Sequence, residues 1–258
     1  ILEVSAIMNK YVRFDDGKGP KYGLLEGEKI AELEGSIFGK WSKTSKAYDL
    51  NKVKLLAPCE PTKVVGVGTN YKEVINEKGD PMPEEPIIFL KPSTSVIGPD
   101  EAIVCPPGVK ELNYEAELVV VIKDKIKNVS VEDAKNHVLG YTCGNDITAK
   151  DFMIKGKPWT KAKCYDTFMP IGPCIVEGID GDNLGIKMYH NGKVTQDSNT
   201  SDMIFNVSQI IAFVSAIMTL NPGDIISTGT PPGKGNLTAG DIIEAELENI
   251  GRLKNTVK

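Results

Sequence analysis

Tyr114-Glu-Ala-Glu-Leu-Val-Val-Val-Ile122 is the stretch on which the reading of this chain turns. Its second half is continuously apolar and β-branched, which describes a buried strand. Side chains on a strand repeat every two residues, so Glu115 and Glu117 point to one face. Two neighbouring carboxylates in a buried place repel each other unless something neutralises them. A divalent cation does this, and an all-oxygen donor set suits Mg²⁺ or Mn²⁺, with Ca²⁺ also admissible, rather than zinc. A solvated strand edge is the competing reading of the same residues.

Outward from this strand the pattern stays β-rich. Lys63–Gly68, Ile87–Leu90, Val138–Thr142, Ile225–Thr228 and Ile242–Leu247 read as strands. Asn191-Gly192 between two further strands is a hairpin turn signal. Lys72–Glu85 reads as a short helix and loop, Val131–His137 as a helix start with Ser130 as its cap, and Ser208–Met218 as the best helix. Tyr11–Phe14 and Tyr22–Leu25 read as antiparallel strands of a small β-rich domain at residues 1–58, which leaves 59–258 as the main domain. No regular βα alternation and no repeat is visible, so the fold class is α+β and β-rich.

Composition narrows the function. The chain has 258 residues, 41% hydrophobic and 25% charged, as in ordinary globular proteins. Its formal charge of -5 argues against a nucleic-acid partner. The longest apolar run, Ile210–Leu220, is broken by Ser215 and Thr219 and falls short of the ~18 residues of a membrane span. Early charges at Glu3, Lys10, Arg13, Asp15 and Asp16 leave no secretory h-region in view. Five cysteines without a CxxC pair read as free thiols of a reducing compartment, so the expected location is cytoplasmic. Only two histidines occur, which excludes a three-His zinc site. His137 reads as structural at the end of a helix, and His190 as a surface residue.

Three further segments carry candidate chemistry. Gly144-Asn-Asp-Ile-Thr148 follows a strand, and its Asp146 would complete a facial acidic triad with Glu115 and Glu117. A capping Asp is the alternative. Thr228-Gly-Thr-Pro-Pro-Gly-Lys-Gly235 is glycine-rich but is no P-loop, because Gly235 follows Lys234 where Ser or Thr belongs. Its Thr230 and backbone N–H groups can still hold an oxyanion, unless it is an ordinary turn. In Trp159–Phe168, Lys161 and Lys163 are candidates for stabilising a substrate anion, against the usual reading of Lys as a surface residue.

Taken together and in order, these segments resemble the fumarylacetoacetate hydrolase family, in its 2-hydroxyhepta-2,4-diene-1,7-dioate isomerase and acylpyruvase-like branch. The matching stretches are Gly66–Tyr71, Pro86–Pro92, Tyr114–Leu118, Gly140–Asp151, Lys163–Phe168, Leu220–Asp224, Thr228–Pro231 and Asn249–Leu253 with Asn255. The resemblance covers roughly 60–258. It implies a mixed β-roll with a small N-terminal domain, and a homodimer. It also implies an Mg²⁺ or Mn²⁺ site on Glu115, Glu117 and Asp146, with Lys163 and Thr230 meeting the substrate and Tyr71, Lys150 and Gly229 beside it.

The chain departs from the family pattern in places. Val74 stands where the family's Asn-Tyr-x-x-His-x-x-Glu segment has its catalytic His, while Glu77 is retained. Lys150 and Met153 replace an Arg and a Gln. Lys keeps the charge without the bidentate fork, and Met removes a hydrogen-bonding group. The chemistry implied by the resemblance is chelation of a small 2-oxo or dicarbonyl acid and stabilisation of its enolate. Isomerisation, decarboxylation and C–C hydrolysis all proceed from that point, but only hydrolysis strictly needs a water-activating base. Glu77 would then serve alone, so isomerase or tautomerase ranks first. C–C hydrolase, oxaloacetate-type decarboxylase and a non-catalytic oxo-acid binder follow.

Overall fold

The computed structural model describes residues 8–154 and 156–258. The expectation about a leader rests in part on Glu3, which lies outside the described residues. Ala116–Ile122 is buried along its whole length and has a strand on either side, Val138–Asn145 and Ile225–Ser227, both antiparallel to it. Alternate residues feed opposite faces. Leu118, Val120 and Ile122 join one apolar core, while Val119 and Val121 join another. This two-faced burial is why the sequence is continuously apolar rather than alternating. Each such aliphatic side chain contributes roughly 1.5–3 kcal/mol by leaving water.

Beyond Ile225–Ser227 the sheet continues through Val64–Gly68, in parallel, to an edge strand at Ile87–Lys91. On the other side it passes through Val138–Asn145 to Met169–Val176. There Lys10 and Tyr11 pair with Val176 and Ile175. The N-terminal strands Lys10–Asp15, Pro20–Glu26, Lys29–Gly35 and Trp41–Asp49 therefore extend the sheet of the main domain to twelve strands. A five-stranded sheet holds the Gly185–His190 and Lys193–Asn199 hairpin. Its Asn191 and Gly192 have φ of 51° and 77°, as a type I′ turn requires.

Val207–Ile217 is the longest helix among the described residues. Asn206 and Gln209 close a capping box at its start, and Ile210, Ile211 and Val214 dock into the larger core. At Val131–His137 the expected α-helix is only a 3₁₀ turn, Ala134–His137. Ser130 accepts the Asp133 N–H as a cap would, but the carbonyl of His137 pairs with Lys123 and the chain enters the Val138–Asn145 strand at once. Strand pairing ends that helix before it can propagate. Among the described residues no helix is long and apolar enough to cross a membrane.

Candidate active site

Antiparallel register builds the site. Ala116 lies opposite Asn145, so Glu115 and Glu117 flank the point where the neighbouring strand ends and hands over to Asp146. The Asp146 N–H donates to the Glu115 carbonyl at 2.9 Å, which closes the corner. The three carboxylates are buried, and one oxygen of each lies within 4.8 Å of the others.

Three lysines approach them, but unevenly. Lys163 Nζ donates to Glu115 Oε2 at 2.8 Å and to Asp146 Oδ2 at 2.5 Å. Lys91, fully buried, binds Asp146 Oδ1 and the Ile147 carbonyl. Lys234 Nζ sits 3.1 Å from Glu115 Oε1. Glu117 has no ammonium partner among the described residues. It accepts only from Ser227 Oγ at 2.5 Å and from the Gly229 N–H at 2.9 Å. Gly229 takes φ +97°, and a Cβ there would meet Asn70 Cβ at 2.8 Å, so only glycine aims this N–H at Glu117.

The electrostatics follow from this arrangement. Burial, together with repulsion from Asp146 and Glu115, pushes Glu117 up to about 8. Burial opposes ionisation of Glu115 too, but Lys163 and Lys234 bring it down to about 2. Burial likewise works against the Lys163 ammonium, and Asp146 and Glu115 overcome it to hold its pKa above the ordinary value. For Lys91, burial wins and the pKa falls. Three buried carboxyl groups that converge on one point, one of them without an ammonium partner among the described residues, offer the all-oxygen donor set that a hard divalent cation takes.

Above this floor is a cavity of about 140 Å³. Phe89 and Trp159, in edge contact at 5.3 Å, wall it on one side. Val74, Lys150, Met153, Thr230 and Lys234 are also in its lining. Gln196 donates to Thr230 Oγ1 at 2.9 Å and accepts from the Ala116 N–H at 2.9 Å, which ties the Thr228–Gly235 segment to the floor strand.

Of the residues expected from sequence, Glu115, Glu117, Asp146, Lys163, Thr230 and Lys150 come together here. Three others sit elsewhere. Glu77 is exposed on the Lys72–Lys78 helix, outside the cavity lining, while Val74 of the same helix reaches it. Tyr71 is wholly buried in the core. The Gly229 N–H is committed to Glu117 and is not presented to a substrate. Lys161 lies over the Phe152 ring at 3.9 Å and takes no part in the floor. His190 is half-buried at the end of its strand, between Asp241, at 2.9 Å, and the Tyr114 ring.

Sequence reasoning missed Lys91, Gln196, Ser227 and Lys234. None of the four carried a local signal, because each is placed by a partner distant along the chain.

The fold is shared with known proteins. Residues 63–258 match the family model described as fumarylacetoacetate (FAA) hydrolase C-terminal, and residues 9–58 match one described as Rv2993c-like, N-terminal. The human mitochondrial oxaloacetate tautomerase FAHD2B is 42% identical over 220 residues, spanning 80% of this chain and 70% of that protein. A crystal structure of 2-hydroxyhepta-2,4-diene-1,7-dioate isomerase from Mycobacterium marinum superposes with a TM-score of 0.90 at 39% identity, covering 96% of this chain and 98% of that one. Fumarylpyruvate hydrolase from Pseudomonas aeruginosa, solved in complex with Mn²⁺ and pyruvate, gives 0.73 at 30% identity, covering 78% of this chain and 90% of that one. The chain has the β-rich α+β fold of these proteins and belongs to the fumarylacetoacetate hydrolase family.

Proposed function

We propose that this chain is a divalent-metal-dependent isomerase or tautomerase of small 2-oxo or dicarbonyl acids, working through an enolate. The observation that carries the reading is the pairing of a complete acidic floor with an apolar side chain, Val74, in the cavity wall. Glu115, Glu117 and Asp146 would hold the ion. When bound, the ion supplies Lewis-acid polarisation of the 2-oxo group and charge for the enolate.

The chain's own residues bind and orient the substrate, and the proton that leaves carbon as the enolate forms is taken up by water at the cavity mouth, which returns one to the enolate. Lys163, kept protonated by Asp146 and Glu115, donates to the oxygen on which negative charge develops. Thr230, oriented by Gln196, positions the substrate carboxylate. Phe89 and Trp159 exclude water from one side, which strengthens these interactions. Lys150 draws the anionic substrate in from the mouth. Glu77 is given no role, because it lies outside the lining. Relatives that carry tautomerase and isomerase names support the ordering over hydrolysis.

The test is an enol–keto assay on oxaloacetate, acylpyruvates and unsaturated 2-hydroxy dicarboxylates, with product analysis for C–C cleavage. The expected result is rapid tautomerisation with Mg²⁺ or Mn²⁺, abolished by chelation, without cleavage. Stoichiometric cleavage products, or no turnover with either ion, would overturn the reading.

A further inference from the structure

Three lysines reach the acidic floor, and they are not equivalent. Lys91 and Lys163 are 1% and 3% exposed and are locked to the floor by two contacts each. Lys234 keeps 36% of its side chain in solvent and makes one contact, to Glu115 Oε1. That oxygen is the one Lys163 leaves free, because Lys163 takes Oε2.

The backbone on either side of Lys234 is closely packed, whereas its side chain reaches solvent. Gly233 has φ +97° and packs so that a Cβ would meet the Thr195 carbonyl at 2.0 Å. At Gly235 a Cβ would meet the Tyr114 hydroxyl at 2.8 Å. The stem between these two anchored points can swing from the floor to the mouth without moving the chain. Lys150, also exposed, lines the same mouth, where Val74 and Met153 offer no charged group.

We propose that Lys234 is an exchangeable cation. In the metal-free protein it compensates Glu115. When a divalent ion takes that role, repulsion releases Lys234 to the mouth, where with Lys150 it receives the second carboxylate of an oxo diacid. The proposal rests on the metal-dependent reading above and adds a preference for diacids over monoacids, set by a residue outside the floor.

The test separates the two readings by using ligands that are not turned over. Calorimetric titration with Mn²⁺ alone compares the wild type with Lys234→Met, and the variant should bind the ion about tenfold more tightly because it lacks the competing ammonium. The Mn²⁺-loaded proteins are then titrated with malate and lactate, which share a 2-hydroxy acid head and differ in the distal carboxylate. Wild type should prefer malate by about tenfold, Lys234→Met should lose that preference by weakening malate alone, and Lys234→Arg should keep it. Unchanged Mn²⁺ affinity or an unchanged malate-to-lactate ratio in Lys234→Met overturns the proposal. Failure of all substrates in the enol–keto assay would instead count against the enzymatic reading and leave these titrations interpretable.

Discussion

The floor of the site and its mouth are built on different principles. Floor residues Glu117, Asp146, Lys91 and Ser227 stand on or directly after sheet strands, none more than 2% exposed, and are interlinked by hydrogen bonds and ion pairs. Mouth residues stand on a seven-residue helix, a 3₁₀ turn and a glycine-rich loop, and Lys150 and Lys234 are exposed. A helix that short has little stability of its own. The contrast separates two tasks. Placing carboxylates within a few ångströms of each other needs paired strands, whereas choosing among acids of different length and charge is left to side chains that can be exchanged without disturbing the sheet.

The comparison breaks if floor substitutions prove mild. Glu117→Gln or Asp146→Asn should cut kcat/KM by at least ~10³-fold in steady-state assays, because each removes an ion-binding charge from the floor. Lys163→Met should lower kcat by about 10²–10³-fold with a smaller change in KM, since its charge matters most as the enolate forms. Lys91→Met leaves the buried Asp146 without that partner and should cost about 3–5 kcal/mol in denaturant unfolding. Lys150→Met, at the mouth, should stay within ~0.5 kcal/mol in the same measurement.

A pH series sharpens the same contrast. Glu117 is raised from 4.5 to about 8 in the metal-free fold, so its contribution to stability is fully present below pH 4.5 and is lost as pH rises through about 8. Glu115 has the opposite sign, with stability lost as pH falls from 4.5 toward 2, outside that window. Differential scanning calorimetry of metal-free protein should therefore show Tm falling between pH 5 and 8. Mn²⁺ binding must expel the Glu117 proton, so its affinity should rise by up to about tenfold per pH unit over the same range.

The floor was legible in the sequence for a specific reason. Period-two alternation puts Glu115 and Glu117 together, and Asp146 and Lys163 stand in separate polar segments that the resemblance joins to them. Lys91 and Lys234 were not legible, because a lysine is by default a surface residue and their anionic partners lie far along the chain. Gln196 was hidden in the same way, since Thr230 meets it only through the fold. Tyr71 and Gly229 belong to matching motifs, and the fold places the first in the core and turns the N–H of the second toward Glu117. The N-terminal strands were readable as a hairpin, but their junction with Met169–Val176 depends on a register between segments some 165 residues apart, which local pattern does not encode.

Calorimetric titration of metal-free wild type and Glu117→Gln with Mn²⁺ at pH 8 tests the central claim most directly. The account predicts one ion per wild-type chain with saturable binding, and loss of that binding in the variant. Wild type that takes up no Mn²⁺, or a variant that binds it as well as wild type does, would contradict the assignment of the acidic floor as a metal centre.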